Sequence, residues 1–187
     1  MTTAQDRQDA VPKPAKAGLV VGDPRQGWAH ADGVMSLGLN QPVVPAQAID
    51  RLMIHETFAR WGIAWDEGCL DVIRSLFTDD GELVILEATS KPLQHLKGHD
   101  AILEHVRRTR AVQADQRRHA ITNIVVEQLD AEHATALAYG VVTCVKGGQI
   151  FLGATVFYRG DLIKHPTSGW QFMNFIIGMD AYARAKN

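Results

Sequence analysis

From Pro45 onward, apolar residues recur at three- and four-residue steps through Ile49, Leu52, Met53, Phe58, Trp61 and Trp65. Sustained over about five turns, that spacing predicts a long helix packed on more than one side. Gly68 stops it, and Leu70, Ile73, Leu76 and Phe77 predict a second, short helix. Thr78, Asp79, Asp80 and Gly81 then turn the chain, and residues 82–87 read as a strand. After a polar, proline-containing connection, Gly98, His99 and Asp100 open a third helix whose apolar side is Ala101, Ile102 and Val106. Asp100 favours the positive end of that helix, and Arg107, Arg108 and Arg110 favour its negative end.

The period then changes. Residues 118–129, 134–146, 149–158 and 170–179 are rich in β-branched, aromatic and small side chains and read as strands. Lys146, Gly147, Gly148 and Gln149 form a two-glycine hairpin signal, so consecutive strands are expected to pair antiparallel. In 149–158 both parities are apolar: Ile150, Leu152, Ala154, Val156 and Tyr158 on one, Phe151 and Phe157 on the other. Such a strand must be covered on both faces, by helices on one and a second subunit on the other. Three helices followed by a long antiparallel sheet is an α+β plan. Glycines 140, 153 and 178 are candidates to let the sheet bend.

The chain of 187 residues divides into an N-terminal extension over 1–45, one domain over 46–182 and a short tail over 183–187. Proline and glycine are concentrated in the extension, and its first 17 residues read as disordered. Trp28, Val34, Met35, Leu37, Leu39, Val43 and Val44 are too apolar for a purely solvating linker, so part of it is expected to lie on the domain or on a neighbouring subunit. A formal charge of −2 offers no general attraction to nucleic acid or to anionic membranes. Leu19–Val21 is far shorter than a signal-peptide core or a membrane span, which points to a soluble, cytoplasmic protein. Cys69 and Cys144 lack a CxxC spacing and lie in apolar segments, so both read as buried free thiols.

His95, His99 and His105 invite a metal reading, but a loop separates His95 from the helix carrying the other two, and a six-residue step puts those two on different faces. No metal is expected. Arg107, Arg108, Arg110, Arg117 and Arg118 lack interleaved aromatics and read as a solvated helix end, with a secondary use in steering an anionic substrate.

A set of short pieces recurs in a telling order: Trp65, Asp66, Glu67 and Gly68 closing the first helix; Leu76, Phe77 and Asp80; Gly98 to Ile102; Arg118, His119 and Asn123; and Gly169 with Trp170 opening the last strand. Together they resemble the SnoaL-like branch of the nuclear-transport-factor-2-like superfamily. The resemblance implies a cone: three N-terminal helices packed in a strongly curved antiparallel or mixed β-sheet that encloses a pocket, with the sheet's outer face forming a homodimer interface. It also implies that Asp66 and His119 stand where scytalone-dehydratase-like and bile-acid-dehydratase-like members carry a catalytic aspartate and histidine. Trp61 stands where the latter carry a tyrosine, and Cys144 or Thr143 stands nearest to a second histidine of the former.

The chemistry of such a pair is direct. A carboxylate that accepts an imidazole N–H fixes the ring's tautomer and favours the imidazolium, which leaves the other nitrogen to take a proton from a carbon beside a carbonyl. The same nitrogen can return that proton to a departing hydroxide, so β-elimination needs no cofactor. The expected function is a lyase or isomerase, dehydratase-like, acting on a small apolar cyclic or polyketide-like compound. Trp61, Trp65, Asn123, Tyr139 and Cys144 are the candidate substrate-binding residues. The alternatives are a non-catalytic binding or assembly module, including one beside an oxygenase, and a steroid-isomerase-like or cyclase-like enzyme using other pocket residues.

Overall fold

The computed structural model describes residues 19–21 and 23–184. The chain runs β1 (Leu19–Val21), α1 (Trp28–Ala31), a 3-10 turn (Pro45–Gln47), α2 (Ala48–Glu67), α3 (Leu70–Ser75), β2 (Phe77–Glu87) and β3 (Pro92–Lys97). It continues with α4 (Gly98–Ala111), β4 (Gln116–Leu129), β5 (His133–Lys146), β6 (Gln149–His165) and β7 (Gly169–Arg184). The expected disorder of the first 17 residues lies outside the described part, as does the end of the expected C-terminal tail. No described helix is long and apolar enough to cross a membrane.

The strands form one mixed sheet in the order β3-β2-β7-β6-β5-β4, with β1 added beside β7. β2 pairs β7 in parallel and the other pairings are antiparallel. Register shifts interrupt β4, β5, β6 and β7, and each such bulge bends its strand, so the unclosed sheet curves around α2. The hairpin between β5 and β6 turns at Gly147 and Gly148, both at positive φ (56° and 75°) as a tight two-residue loop requires.

α2 ends where expected, at Gly68 with φ 72°. It buries Ile54, Phe58, Trp61 and Trp65, a stripe at four-, three- and four-residue steps, in the hollow of the sheet. The expectation of burial on several sides fails in its first turns: Ile49 and Leu52 are 67% and 66% exposed, because the helix enters the hollow only from Ile54 onward. Inside, Phe58, Trp61, Phe77, Phe172 and Phe175 meet mostly edge to face, and Tyr158 stacks parallel on Phe175 at 5.6 Å. Gly140 makes room for Tyr158, since a Cβ there would stand 2.5 Å from its ring.

Two expectations need correction. Thr78 to Gly81 do not precede β2 as a turn but form a bulge within it, where the register against β7 jumps between Phe77 and Glu82. The connection expected after residue 87 contains β3, an edge strand that begins with Pro92 and is almost wholly exposed. An edge strand open to solvent needs no apolar alternation, and a proline at its first residue removes no ladder bond.

Part of the extension packs on the domain. Trp28 and Ala29 are buried with Leu86 and Phe157 on the sheet face away from α2, and Val34 and Met35 pack beside them. The Trp28 indole lies edge-on to Phe157 at 5.4 Å and donates its N–H to Asp180 at 2.7 Å. Further along, Arg159 donates to the Val34 carbonyl and the Gly38 N–H donates to Glu127.

Candidate functional site

The last turn of α2 is buried, and it delivers Trp65 and Asp66 to the inner face of β4. Arg110, from the end of α4, donates to the carbonyl oxygens of Trp65 (2.5 Å) and Asp66 (3.0 Å). Both carbonyls lie in the last turn of the helix, where that of Trp65 also accepts the Gly68 N–H, and a guanidinium that takes up both sets the turn in place. On β4 the inward positions include His119 and Ile121, which alternate with exposed Arg118 and Ala120.

Asp66 spends both carboxylate oxygens on one residue. Its Oδ1 accepts the His119 ring Nδ1–H at 2.6 Å and its Oδ2 accepts the His119 backbone N–H at 2.8 Å. The side chains are 5% and 12% exposed, so the pair is sheltered from competing water. A carboxylate only accepts, so Nδ1 carries the hydrogen and Nε2 is the nitrogen free to exchange a proton.

The surroundings are mostly apolar and neutral. Trp65 lies 6.3 Å from the His119 ring and 6.1 Å from the His105 ring, centroid to centroid. Burial pushes the His105 pKa down, which favours the neutral ring. Burial, with the Asp66 charge second, pushes the Tyr158 phenol well up, so near this pair it stays protonated rather than acting as a proton exchanger. Sequence reasoning missed Tyr158 as a neighbour of Asp66, although its parity with Ala154, Val156 and Leu162 on β6 carried the signal.

The other expected site residues part company. Trp61 is 1% exposed and packs on Trp65, Phe77 and Phe175 as core. Cys144 is buried on the inner face, beside Arg117 across the ladder, with its thiol pKa raised by burial first and by Asp115 second. Tyr139 and Asn123 do not reach the pair. Tyr139 is 52% exposed, on the same outer face as its ladder partner Phe157. Asn123 is exposed and takes φ 53° in the bulge between Thr122 and Val125, a left-handed backbone that asparagine tolerates. Cys69 is exposed, contrary to expectation, because it caps α3 outside the hollow.

The histidines considered for metal disperse: His95 meets Glu82, and His99 meets Arg74 and the Phe77 carbonyl. The arginines are engaged within the fold, Arg107 and Arg108 with Glu104, Arg117 with Asp115 and Arg118 with Glu67. A cavity of about 360 Å³ lies on the outer side, between the segment around Ser36 to Gln41 and strands β4 to β6, and it is bordered by Glu127, Thr135 and Arg159. It holds none of the residues expected to bind substrate.

The fold is shared with solved structures. A nuclear-transport-factor-2-like protein with a cystatin-like fold from Novosphingobium aromaticivorans is 24% identical, with TM-score 0.63 over 72% of this chain and 84% of that one. The β subunit of a putative aromatic-ring-hydroxylating dioxygenase from the same organism is 16% identical, with TM-score 0.65 over 75% and 95% of the two chains. A protein from Catenulispora acidiphila in complex with S-DNPA is 21% identical, with TM-score 0.61 over 72% and 96%. No curated protein matches the chain. The model of the SnoaL-like domain matches residues 46–175, from the 3-10 turn before α2 into β7. On that match, and with this curved sheet around a long helix, the chain belongs to the family of SnoaL-like domains.

Proposed function

We propose that the protein is an acid–base enzyme, a dehydratase-like lyase or isomerase, acting on a small apolar cyclic or polyketide-like compound. The observation that carries the reading is the double hydrogen bond from His119 to a buried Asp66. It fixes both the backbone and the ring of the histidine, and such second-partner orientation is what a general base needs before substrate arrives. In this reading His119 Nε2 removes a proton from a carbon next to a carbonyl and returns it to the departing hydroxide. Asp66 holds the tautomer and stabilises the imidazolium between the two steps. No cofactor is required by that sequence.

The test is a turnover screen of wild type, Asp66→Asn and His119→Ala against cyclic hydroxyketones and aromatic polyketide fragments, with mass spectrometry reading loss of water. The expected result is conversion by wild type and a loss of about a hundredfold or more in each variant, with ligand binding retained. Conversion unchanged in His119→Ala would sink the pair mechanism and favour a cyclase-like use of other residues.

A second reading is a non-catalytic binding or assembly module. What supports it is the likeness to a dioxygenase β subunit together with exposed Tyr139, Val141, Val145, Ile150 and Leu152 on the outer face of β5 and β6. Binding without turnover in any variant would favour it. The same apolar strip supports the expected homodimer through the sheet, and a light-scattering mass of one chain at micromolar concentration counts against that dimer.

A further inference from the structure

The extension spans part of the sheet's outer face without filling the space beneath it. Leu137 shares the outward parity of Tyr139 on β5, yet it is 5% exposed where Tyr139 is 52% exposed. Across the cavity from it runs the segment from Ser36 to Gln41, and two polar links tie this roof to the domain. Arg159 donates to the Val34 carbonyl at 3.3 Å, and the Gly38 N–H donates to Glu127 Oε2 at 2.7 Å. Glycine at 38 lets the roof come this close, since a Cβ there would stand 2.9 Å from that oxygen. Leu39 is 88% exposed, so the roof's largest apolar side chain at this point does not plug the gap. A cavity of about 360 Å³ remains, within the roughly 300–1,000 Å³ of small-molecule sites. The roof lies outside residues 46–175, the part matched by the SnoaL-like domain, so this space is completed by the chain's own extension.

The charged and hydroxyl groups around the space are rich in acceptors and short of donors. Each nitrogen of Arg159 already donates within the fold, Nε and Nη2 to Asp161 Oδ1 at 3.3 and 3.1 Å and Nη1 to Val34. The Thr135 hydroxyl gives its hydrogen to the same Asp161 oxygen at 3.0 Å, so Thr135 Oγ1 has only acceptor capacity left. Glu127 Oε1 accepts no hydrogen bond among the described residues, and Glu127 forms no ion pair among them. Glu127 and Asp161 set two carboxylates against the one guanidinium of Arg159, which leaves one negative charge uncompensated. An anion would meet that charge with no uncommitted cation to offset it. A fitting occupant brings N–H donors and a positive charge, and hydrogen bonds between ionised partners are the strong ones.

We propose that this cavity is a second ligand site, on the opposite face of the sheet from Asp66 and His119, and that it takes a small primary ammonium compound. The ammonium group pairs with Glu127 Oε1 and finds a further acceptor in Thr135 Oγ1, while the apolar body of the ligand lies on Leu137. An occupant held between Glu127 and the roof ties the extension to the sheet. The site uses no residue of the acid–base pair, so it stands or falls apart from the reading given above.

The experiment is a methyl NMR titration of the full chain, carrying carbon-13-labelled leucine, with 2-phenylethylamine and its uncharged counterpart 2-phenylethanol at neutral pH. The Leu137 resonances are those missing from Leu137→Ile, and the remaining methyl peaks report whether each variant is folded. The expected result is a saturable shift of the Leu137 resonances with the amine, at lower concentration than with the alcohol. In Glu127→Gln the amide oxygen can still accept the Gly38 N–H, so the roof is kept and only the charge is lost. There the ratio of amine to alcohol affinity falls about tenfold, the scale of one hydrogen bond to a charged group. In Asp66→Asn the ratio keeps its wild-type value. Equal affinities for the two probes, an unchanged ratio in Glu127→Gln, or no Leu137 shift at millimolar amine overturns the proposal. A ratio that falls in Asp66→Asn instead means that the amine sits against the buried carboxylate of the inner face, and that result overturns it too.

Discussion

The inner and outer faces of the sheet are made by the same strands under opposite demands. Along β5 the inward residues Ala134, Ala136, Ala138, Gly140, Val142 and Cys144 are all buried, whereas outward Tyr139, Val141 and Val145 are 40% exposed or more. Small inward residues leave space for α2 and for the large rings of β6 and β7, so the hollow closes by packing across elements. The outer face has no helix layer to meet. Near β7 it is closed by the extension, through Trp28 against Leu86 and Phe157, and along β5 from Tyr139 to Val145 it stays open. The difference teaches that the Asp66–His119 geometry belongs to the inner packing and the extension belongs to the outer, so that each can be disturbed without the other.

The strongest way to break this separation is Trp28→Ala. Losing a 3% exposed indole and its bond to Asp180 is expected to destabilise the fold by about 3–5 kcal/mol, read from urea unfolding. The His119 Nδ1–H proton resonance should nonetheless keep its hydrogen-bonded position in the folded protein. A Trp28→Ala protein that is as stable as wild type would show that the extension is not part of the structural unit. The inner counterpart is Gly140→Val, which drives a branched side chain into the Tyr158 ring and is expected to cost about 1–3 kcal/mol. Here the site should suffer as well, because Tyr158 is the phenol beside Asp66. Loss of stability without any change in the His119 Nδ1–H resonance would mean that Tyr158 and the Asp66–His119 pair are coupled less tightly than their packing implies.

The features legible in the sequence were those whose local pattern and tertiary setting agree. Gly68 ended α2 because a left-handed cap needs glycine, and Gly147 with Gly148 turned the hairpin for the same reason. β3 was illegible because an exposed edge strand carries no period, and the bulge at Thr78 to Gly81 was read as a turn because Asp-Asp-Gly is turn chemistry in either setting. Strand parity could not place Asn123, where the bulge beyond Thr122 shifts the register, or Tyr139, which lacked any cue to which face was inner. The meeting of Asp66 with His119 was legible through family resemblance and through no local pattern.

A weaker test on the inner side uses pH. His105 has its folded pKa pushed below its ordinary 6.5 by burial, so the unfolded chain binds this proton more readily than the folded one. Its contribution is therefore absent above the unfolded value and becomes destabilising as pH falls from 6.5 toward the folded pKa. His55 shifts in the same direction, by burial first and Arg51 second, so the comparison must be between wild type and His105→Gln. The stability difference between them should move against wild type between pH 7.5 and 5.5. A difference that is flat with pH would mean that the His105 ring is solvated beside Trp65, and the neutral character assigned to the site would go with it.

The smallest expected effect on folding comes from the open half of the outer face. Leu152 is 56% exposed and its ladder partner is Thr143, so Leu152→Glu removes little buried area and meets no buried apolar wall. Its change in unfolding free energy should stay within about 0.5 kcal/mol, as for surface substitutions generally. If the strip of Tyr139, Val141, Val145, Ile150 and Leu152 is the face that a second copy covers, the same substitution should halve the light-scattering mass, because a charge desolvated against an apolar partner is costly. A mass that is already that of one chain in wild type removes the homodimer from the account. A large loss of stability in a protein that is monomeric to begin with would show that the open half is not open, and that a segment of this same chain closes it as Trp28 closes the other.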